Sequence, residues 1–241
     1  MSCQEFHTAQ FRVVVDSAPI LERALAARTS KGFLGKNTCY IHPRFGSSLL
    51  LGELITDVQL EPDAGAQVSP LVRTPEGGCG TCRRCQVHCP TGALSLDYQI
   101  DAEKCLSYWT IENRGPIPVE YWRYLEKFWY GCDICQNVCP YNRPKTGTDF
   151  ATLESRGLQN LDLAEVAKMN QDFYEKTFGG SPMTRAKSDG LRRNALIAMV
   201  VTNHARLAEV LCLLAETEPA GLMRETMNQI PSFLAMAKED V

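Results

Sequence analysis

The chain is short of several things. No run of roughly eighteen apolar residues occurs in it, and a helix needs about that many to cross a bilayer. No membrane association is therefore expected. Its first ten residues, MSCQEFHTAQ, hold neither a basic stretch nor an apolar one. They do not read as a secretion signal, which points to the cytoplasm. Net charge is only −3, so nothing global favours nucleic acid, although a local basic patch could still bind it. What remains is an ordinary globular composition, 44% hydrophobic and 22% charged over 241 residues, enough for one large domain or two modest ones.

One residue type is abundant. Eleven cysteines are many for a reducing compartment, where clustered thiols bind metal more often than they pair as disulfides. Eight of them fall between Cys79 and Cys139.

The rest of the chain divides around that cluster. Residues 1–70 read as mixed α/β. Arg12–Val15 is a β-branched run ending at Asp16, and Pro19 then stands at a first-turn position of a helix through ILERALAAR. Thr38–Ile41 and Leu49–Ile55 read as strands or short buried segments. The stretch EPDAGAQVSPLVRTPEGG is a linker or surface loop. Residues 71–150 hold the cysteines, and residues 151–241 are helical in pattern. Leu207, Val210, Leu211 and Leu214 recur at helical spacing, with Asn203 as the expected N-cap. A second helix is expected over Leu222–Ala237. The pair resembles a fragment of a helical-repeat array.

Cys79, Cys82, Cys85 and Cys89 are spaced C-x2-C-x2-C-x3-C, with Pro90 following. That is the bacterial ferredoxin run, in which the fourth cysteine ligates a second [4Fe-4S] cluster. Downstream, Cys132, Cys135 and Cys139 precede Pro140, but Trp129 stands where a full copy would have its first cysteine. Cys105 is the remaining candidate. The assignment is Cys79, Cys82, Cys85 and Cys139 for one cluster, and Cys89, Cys105, Cys132 and Cys135 for the other. Zinc also takes four cysteines, usually from two C-x2-C knuckles, and the triple run with two Cys-Pro ends does not fit that pattern. Cys3, Cys39 and Cys212 lack motif neighbours and read as buried structural thiols.

Three runs, CGTCRRCQVHCPTGAL, CLSYWTIENRGPIP and YGCDICQNVCPYN, resemble epoxyqueuosine reductases. So do VDSAP and HPRFGS, which a simple ferredoxin does not carry, and RRNALIAM, which favours this tRNA-linked family. The resemblance runs from about Phe11 to beyond Ala198. It implies an α+β chain: a corrinoid-binding α/β region over residues 1–70, a ferredoxin-like 2[4Fe-4S] module over 71–150, and a HEAT-like helical segment over 151–241. It further implies two [4Fe-4S] clusters feeding cobalamin, which reduces the epoxide of epoxyqueuosine in tRNA, with a reduced ferredoxin or flavodoxin as electron donor. Asp16 matches the family's proton donor. Asn37, Ser107, Cys132 and Asp133 match positions near the corrinoid. Arg185, Lys187, Arg192 and Arg193 become candidate phosphate contacts. Only Met1–Gln10 precede the first strand, where family members carry a longer segment, so the chain reads as an N-terminally shortened form. The competing readings are a non-catalytic electron carrier and a corrinoid reductase of another substrate.

Overall fold

The computed structural model describes residues 9–15, 18–29, 31–61, 78–143 and 158–239. In chain order its elements are β1 (Phe11–Val14), α1 (Glu22–Ala27), β2 (Phe33–Leu34), β3 (Tyr40–Ile41), β4 (Glu53–Thr56), α2 (Arg84–Val87), α3 (Leu125–Phe128), α4 (Ile134–Asn137), α5 (Leu163–Ala167), α6 (Gln171–Phe178), α7 (Lys187–Val201), α8 (Leu207–Thr217) and α9 (Leu222–Glu239). A π-helical turn spans Tyr108–Glu112. The chain forms two compact units, Met1–Ile100 with Asp133–Thr146, and Asp101–Cys132 with Gly147–Val241. The expected mixture of helix and strand is present, with helix dominant.

In the first unit β1 pairs antiparallel with β4, Phe11 opposite Thr56 and Val14 opposite Glu53. The expected strand is shifted back by one residue. Val14 alone is buried along β1. The second expected segment is extended only from Glu53, and its Leu54 and Ile55 are exposed rather than buried. β2 and β3 form a tight ribbon, Phe33 opposite Ile41, around the turn that carries Lys36 and Asn37. Helix α1 begins at Glu22 behind an N-cap at Leu21. Pro19 thus lies ahead of the first turn rather than in it.

The second unit is built around α7. Every residue from Arg193 to Val200 is buried, so this helix is enclosed on all sides rather than amphipathic. Leu191, Leu196 and Met199 pack with Phe178, Val166, Val210 and Leu214. Ile197 and Val200 pack with Trp122, Leu125, Ile117 and Phe233. Short helices pack on it through Val166 and Phe178, and their starts are capped: Asp162 accepts from Ala164 N–H at 2.8 Å ahead of α5, and Asn170 accepts from Phe173 N–H at 2.9 Å ahead of α6. The apolar face expected on α8 is present, with Val210 and Leu214 fully buried.

Asn203 corrects the sequence reading. It does not start α8, whose N-cap is Arg206. It ends α7, at φ 47°. Its own N–H donates to Val200 O at 3.2 Å, and the next N–H, of His204, donates to Met199 O at 2.9 Å. That pair of bonds is a Schellman close, in which a left-handed residue satisfies the last carbonyls of a helix. Asn is one of the few residues besides glycine that tolerates the position.

Candidate functional site

Two single-turn helices carry the first group of thiols. The chain turns at Cys79, where Cys82 N–H donates to Cys79 O at 2.9 Å and Gly80 supplies φ 48°. Helix α2 then presents Cys85. Helix α4 holds Cys135, and Cys139 follows it, with Pro140 opening a 3-10 turn. Proline after each motif suits the chain's exit, since it supplies no N–H and presets φ.

Cys79, Cys82, Cys85 and Cys139 line one cavity of about 250 Å³, with Ile41 and Tyr141 closing it. Tyr141 is fixed by its hydroxyl, which donates to Gly78 O at 3.1 Å and accepts from Gly78 N–H at 3.2 Å, and by Phe33 edge-on at 5.1 Å. The β2–β3 turn supplies Lys36 N–H, which donates to Cys79 Sγ at 3.3 Å. Lys36 is 6% exposed, and its ammonium pairs with Asp97 at 3.2 Å. Among the described residues, no three His, Cys, Asp or Glu side chains converge closely enough for a single metal ion. Four thiols spread around a cavity many times the ~30 Å³ share of one water instead suit a polynuclear iron–sulfur group, and the all-sulfur donor set agrees.

The HPRFGS motif finds a role behind this cavity. Gly46 sits at φ 75°, and Ser47 N–H donates to Asn142 Oδ1 at 2.6 Å. Asn142 Nδ2 donates in turn to Ser47 Oγ at 2.8 Å and Gln136 O at 2.9 Å. This knot braces the turn that carries Cys139.

Burial raises the Cys79 and Cys85 thiols above their ordinary pKa, with the Lys36 N–H partly offsetting the rise at Cys79. Cys39 is pushed up to about 11 by burial, so it stays a neutral thiol, consistent with a structural role. Cys212 is exposed on α8, which corrects the expectation that it is buried. Cys3 lies outside the described residues.

The second set of thiols divides evenly: Cys89 and Cys135 are in the first unit, Cys105 and Cys132 in the second. The residues matched to the corrinoid divide likewise. Asn37 and Asp133 lie in the first unit, Ser107 and Cys132 in the second. Asn37 is 4% exposed, donates to Cys135 O at 3.4 Å and accepts from Cys39 N–H at 3.3 Å. Asp133 is exposed and accepts from Gln136 Nε2 at 2.8 Å. Ser107 is half-buried at the head of the π-helical turn. Asp16 lies outside the described residues.

The basic cluster is half dismantled by the structure. Arg193 is fully buried. Its guanidinium donates to Asn113 O at 3.0 Å, to Trp109 O at 2.8 Å and to Gly115 O, so it cannot reach a phosphate. Arg192 is only 14% exposed and turned to Glu218, so little of its guanidinium faces solvent. Arg185 and Lys187 remain at the surface, Arg185 beside Glu112 at 2.6 Å. Sequence reasoning missed Lys36, hidden within an ordinary turn, and Thr110, an inconspicuous hydroxyl in CLSYWTIE. Nothing in their local pattern marks either one, because what distinguishes them is a partner far along the chain.

Residues 78–142 match the family described as 4Fe-4S double cluster binding domain. The chain is similar to the epoxyqueuosine reductase of Vibrio cholerae, 39% identical over 199 residues, which cover 81% of this chain and 51% of that protein. It is similar to that of Synechocystis at 38% identity, over 80% of this chain and 64% of that one. A crystal structure of selenomethionine-labelled epoxyqueuosine reductase superposes with a TM-score of 0.81 at 28% identity, over 98% of this chain and 61% of that one. Another, of epoxyqueuosine reductase with a tRNA-Tyr epoxyqueuosine-modified stem loop, gives 0.79 at 28% identity, over 94% and 58%. The chain spans about half the length of the curated relatives it matches first.

Proposed function

This chain is a relative of the epoxyqueuosine reductases over the part of their length that it spans, and from that premise we propose that it serves the reduction of the epoxide of epoxyqueuosine in tRNA. The observation that carries the reading is the joint one: four thiols lining a single cavity, inside a segment that matches a double-cluster domain, in a chain 39% identical to such a reductase. Opening an epoxide to an alkene consumes two electrons and two protons and releases the oxygen as water. The clusters would supply electrons one at a time and cobalamin, when bound, the two-electron chemistry at the substrate.

The chain's own residues do the rest. Cys79, Cys82, Cys85 and Cys139 hold one cluster; Cys89, Cys105, Cys132 and Cys135 hold the other. Asp16 gives its proton to the departing oxygen, as a general acid must when the leaving group is poor. Residues 1–70, with Asn37, Ser107, Cys132 and Asp133, receive the corrinoid; residues 71–150 form the cluster module; residues 151–241 form a HEAT-like surface for tRNA, with Arg185 and Lys187 meeting phosphate. A reduced ferredoxin or flavodoxin loads the clusters. Among the described residues no helix is long and apolar enough to cross a membrane, which accords with a cytoplasmic site of action.

Anaerobic reconstitution with iron and sulfide should give about eight irons per chain, four to each cluster. Adding cob(II)alamin should then change its EPR spectrum, and an epoxyqueuosine-bearing stem loop should be converted. Asp16→Asn should keep the irons and the corrinoid signal and lose turnover. Iron uptake without any corrinoid signal would instead indicate a plain electron carrier. Turnover retained in Asp16→Asn would remove the acid from its role.

A further inference from the structure

Thr110 is fully buried in the π-helical turn five residues after Cys105. Its hydroxyl donates to Leu106 O at 2.8 Å, which by itself is the common habit of threonine in helices. The same hydroxyl also accepts from Gly131 N–H at 2.9 Å. Leu106 follows Cys105 and Gly131 precedes Cys132. One oxygen therefore joins the two segments that carry those thiols, both within the second unit.

The turn is held from behind as well. Asn194 Nδ2 donates to Thr110 O at 2.7 Å. Arg193 donates to Asn194 Oδ1 at 3.0 Å and 2.8 Å, and to the carbonyls of Trp109 and Asn113. Both residues belong to the most enclosed stretch of α7. Gly131, whose N–H makes the bond to Thr110, takes φ 73°, a backbone conformation few side chains tolerate. The π-helical turn is itself a costly local geometry, usually kept where something must be placed.

We propose that Thr110 is a positioning residue for the second iron–sulfur cluster, its hydroxyl setting the separation of Cys105 and Cys132 so that both thiolates reach the same cubane. This rests on the two-cluster reading above. The hydroxyl touches neither thiol; it acts through the backbone on either side.

The test uses the full chain, reconstituted anaerobically, with iron content, EPR and a redox titration as readouts. Wild type should hold about eight irons, and Thr110→Val about four, with the spectrum of one cluster lost or its midpoint displaced. Thr110→Ser, which keeps the hydroxyl, should restore the wild-type spectrum and midpoint. Thr110→Ala is the second variant, since it removes the hydroxyl without adding bulk. Thr110→Val or Thr110→Ala with wild-type iron and both wild-type midpoints would overturn the proposal while leaving two clusters standing. Loss of helical circular dichroism before loading in both variants would also overturn it, because the hydroxyl would then serve the fold rather than the thiols. A wild type that binds only one cluster would overturn the two-cluster reading and this inference with it.

Discussion

A methyl group added at Gly46 would collide with the Asn142 side chain and come within 2.8 Å of the Tyr141 carbonyl. The left-handed φ of 75° adds its own penalty for any L side chain. Gly46→Ala should therefore cost about 2–4 kcal/mol, as strain plus overpacking, read as a fall in the denaturant midpoint. Because the collision lies behind the Cys139 turn, iron uptake should fall with it. Gly46→Ala with wild-type stability and iron content would show that the knot around Asn142 is slack. At this scale the sequence was uneven. The four thiols that line the cavity, Cys79, Cys82, Cys85 and Cys139, were legible, because they stand in two motifs whose spacing is a local property of the chain. Arg193 was misleading: its neighbours Arg185, Lys187 and Arg192 suggested a surface patch, and only the carbonyls of Trp109 and Asn113, some eighty residues upstream, explain why it is inside. Thr110 was silent for the same reason.

Elements show the same divide between local and distant causes. Helix α8 was legible from its apolar spacing, and α9 to within two residues at its end. The boundary between α7 and α8 was not, because Asn serves both as an N-cap and as a left-handed terminator, and the bonds to Met199 and Val200 decide between them. Strand β4 begins late because the apolar run before it does not pair. Helices α5 and α8 share an apolar core through Val166, Val210 and Leu214, and an ionic network links their first turns. Arg206 donates to Asp162 at 2.9 Å, to Glu165 at 2.9 Å and to Glu209 at 2.7 Å. The hydrogen bond from Arg206 holds the Glu209 carboxyl down at about 2 from an ordinary 4.5. Lys168 first and Arg206 second lower Glu165 as well. Carboxylates depressed in the folded chain stabilise it above their unfolded pKa, and the contribution drains away as pH falls from about 4.5 toward 2. Arg206→Gln should shrink that part of the acid sensitivity, measured as melting temperature against pH. An unchanged acid limb would mean the network contributes nothing, as many exposed ion pairs do not.

For the whole molecule, charge and chain order matter more than any single interaction. A net −3 chain approaches RNA through local positive charge or not at all. Changing Arg185 and Lys187 together to Gln should reduce the slope of log affinity for an RNA stem loop against log salt by about one to two, since each phosphate left without its cation keeps its own counterion. An unchanged slope would move the RNA face elsewhere. The two units are also interleaved along the chain: the first needs Asp133–Thr146, which follow a long excursion through the second. Synthesis runs one way, at roughly 5–20 residues per second. Cys79, Cys82 and Cys85 are therefore made, and left waiting, for roughly 3–10 s before Cys139 is added. For that interval every nascent copy carries an incomplete ring of thiols, open to oxidation, to stray metal and to whatever delivers iron.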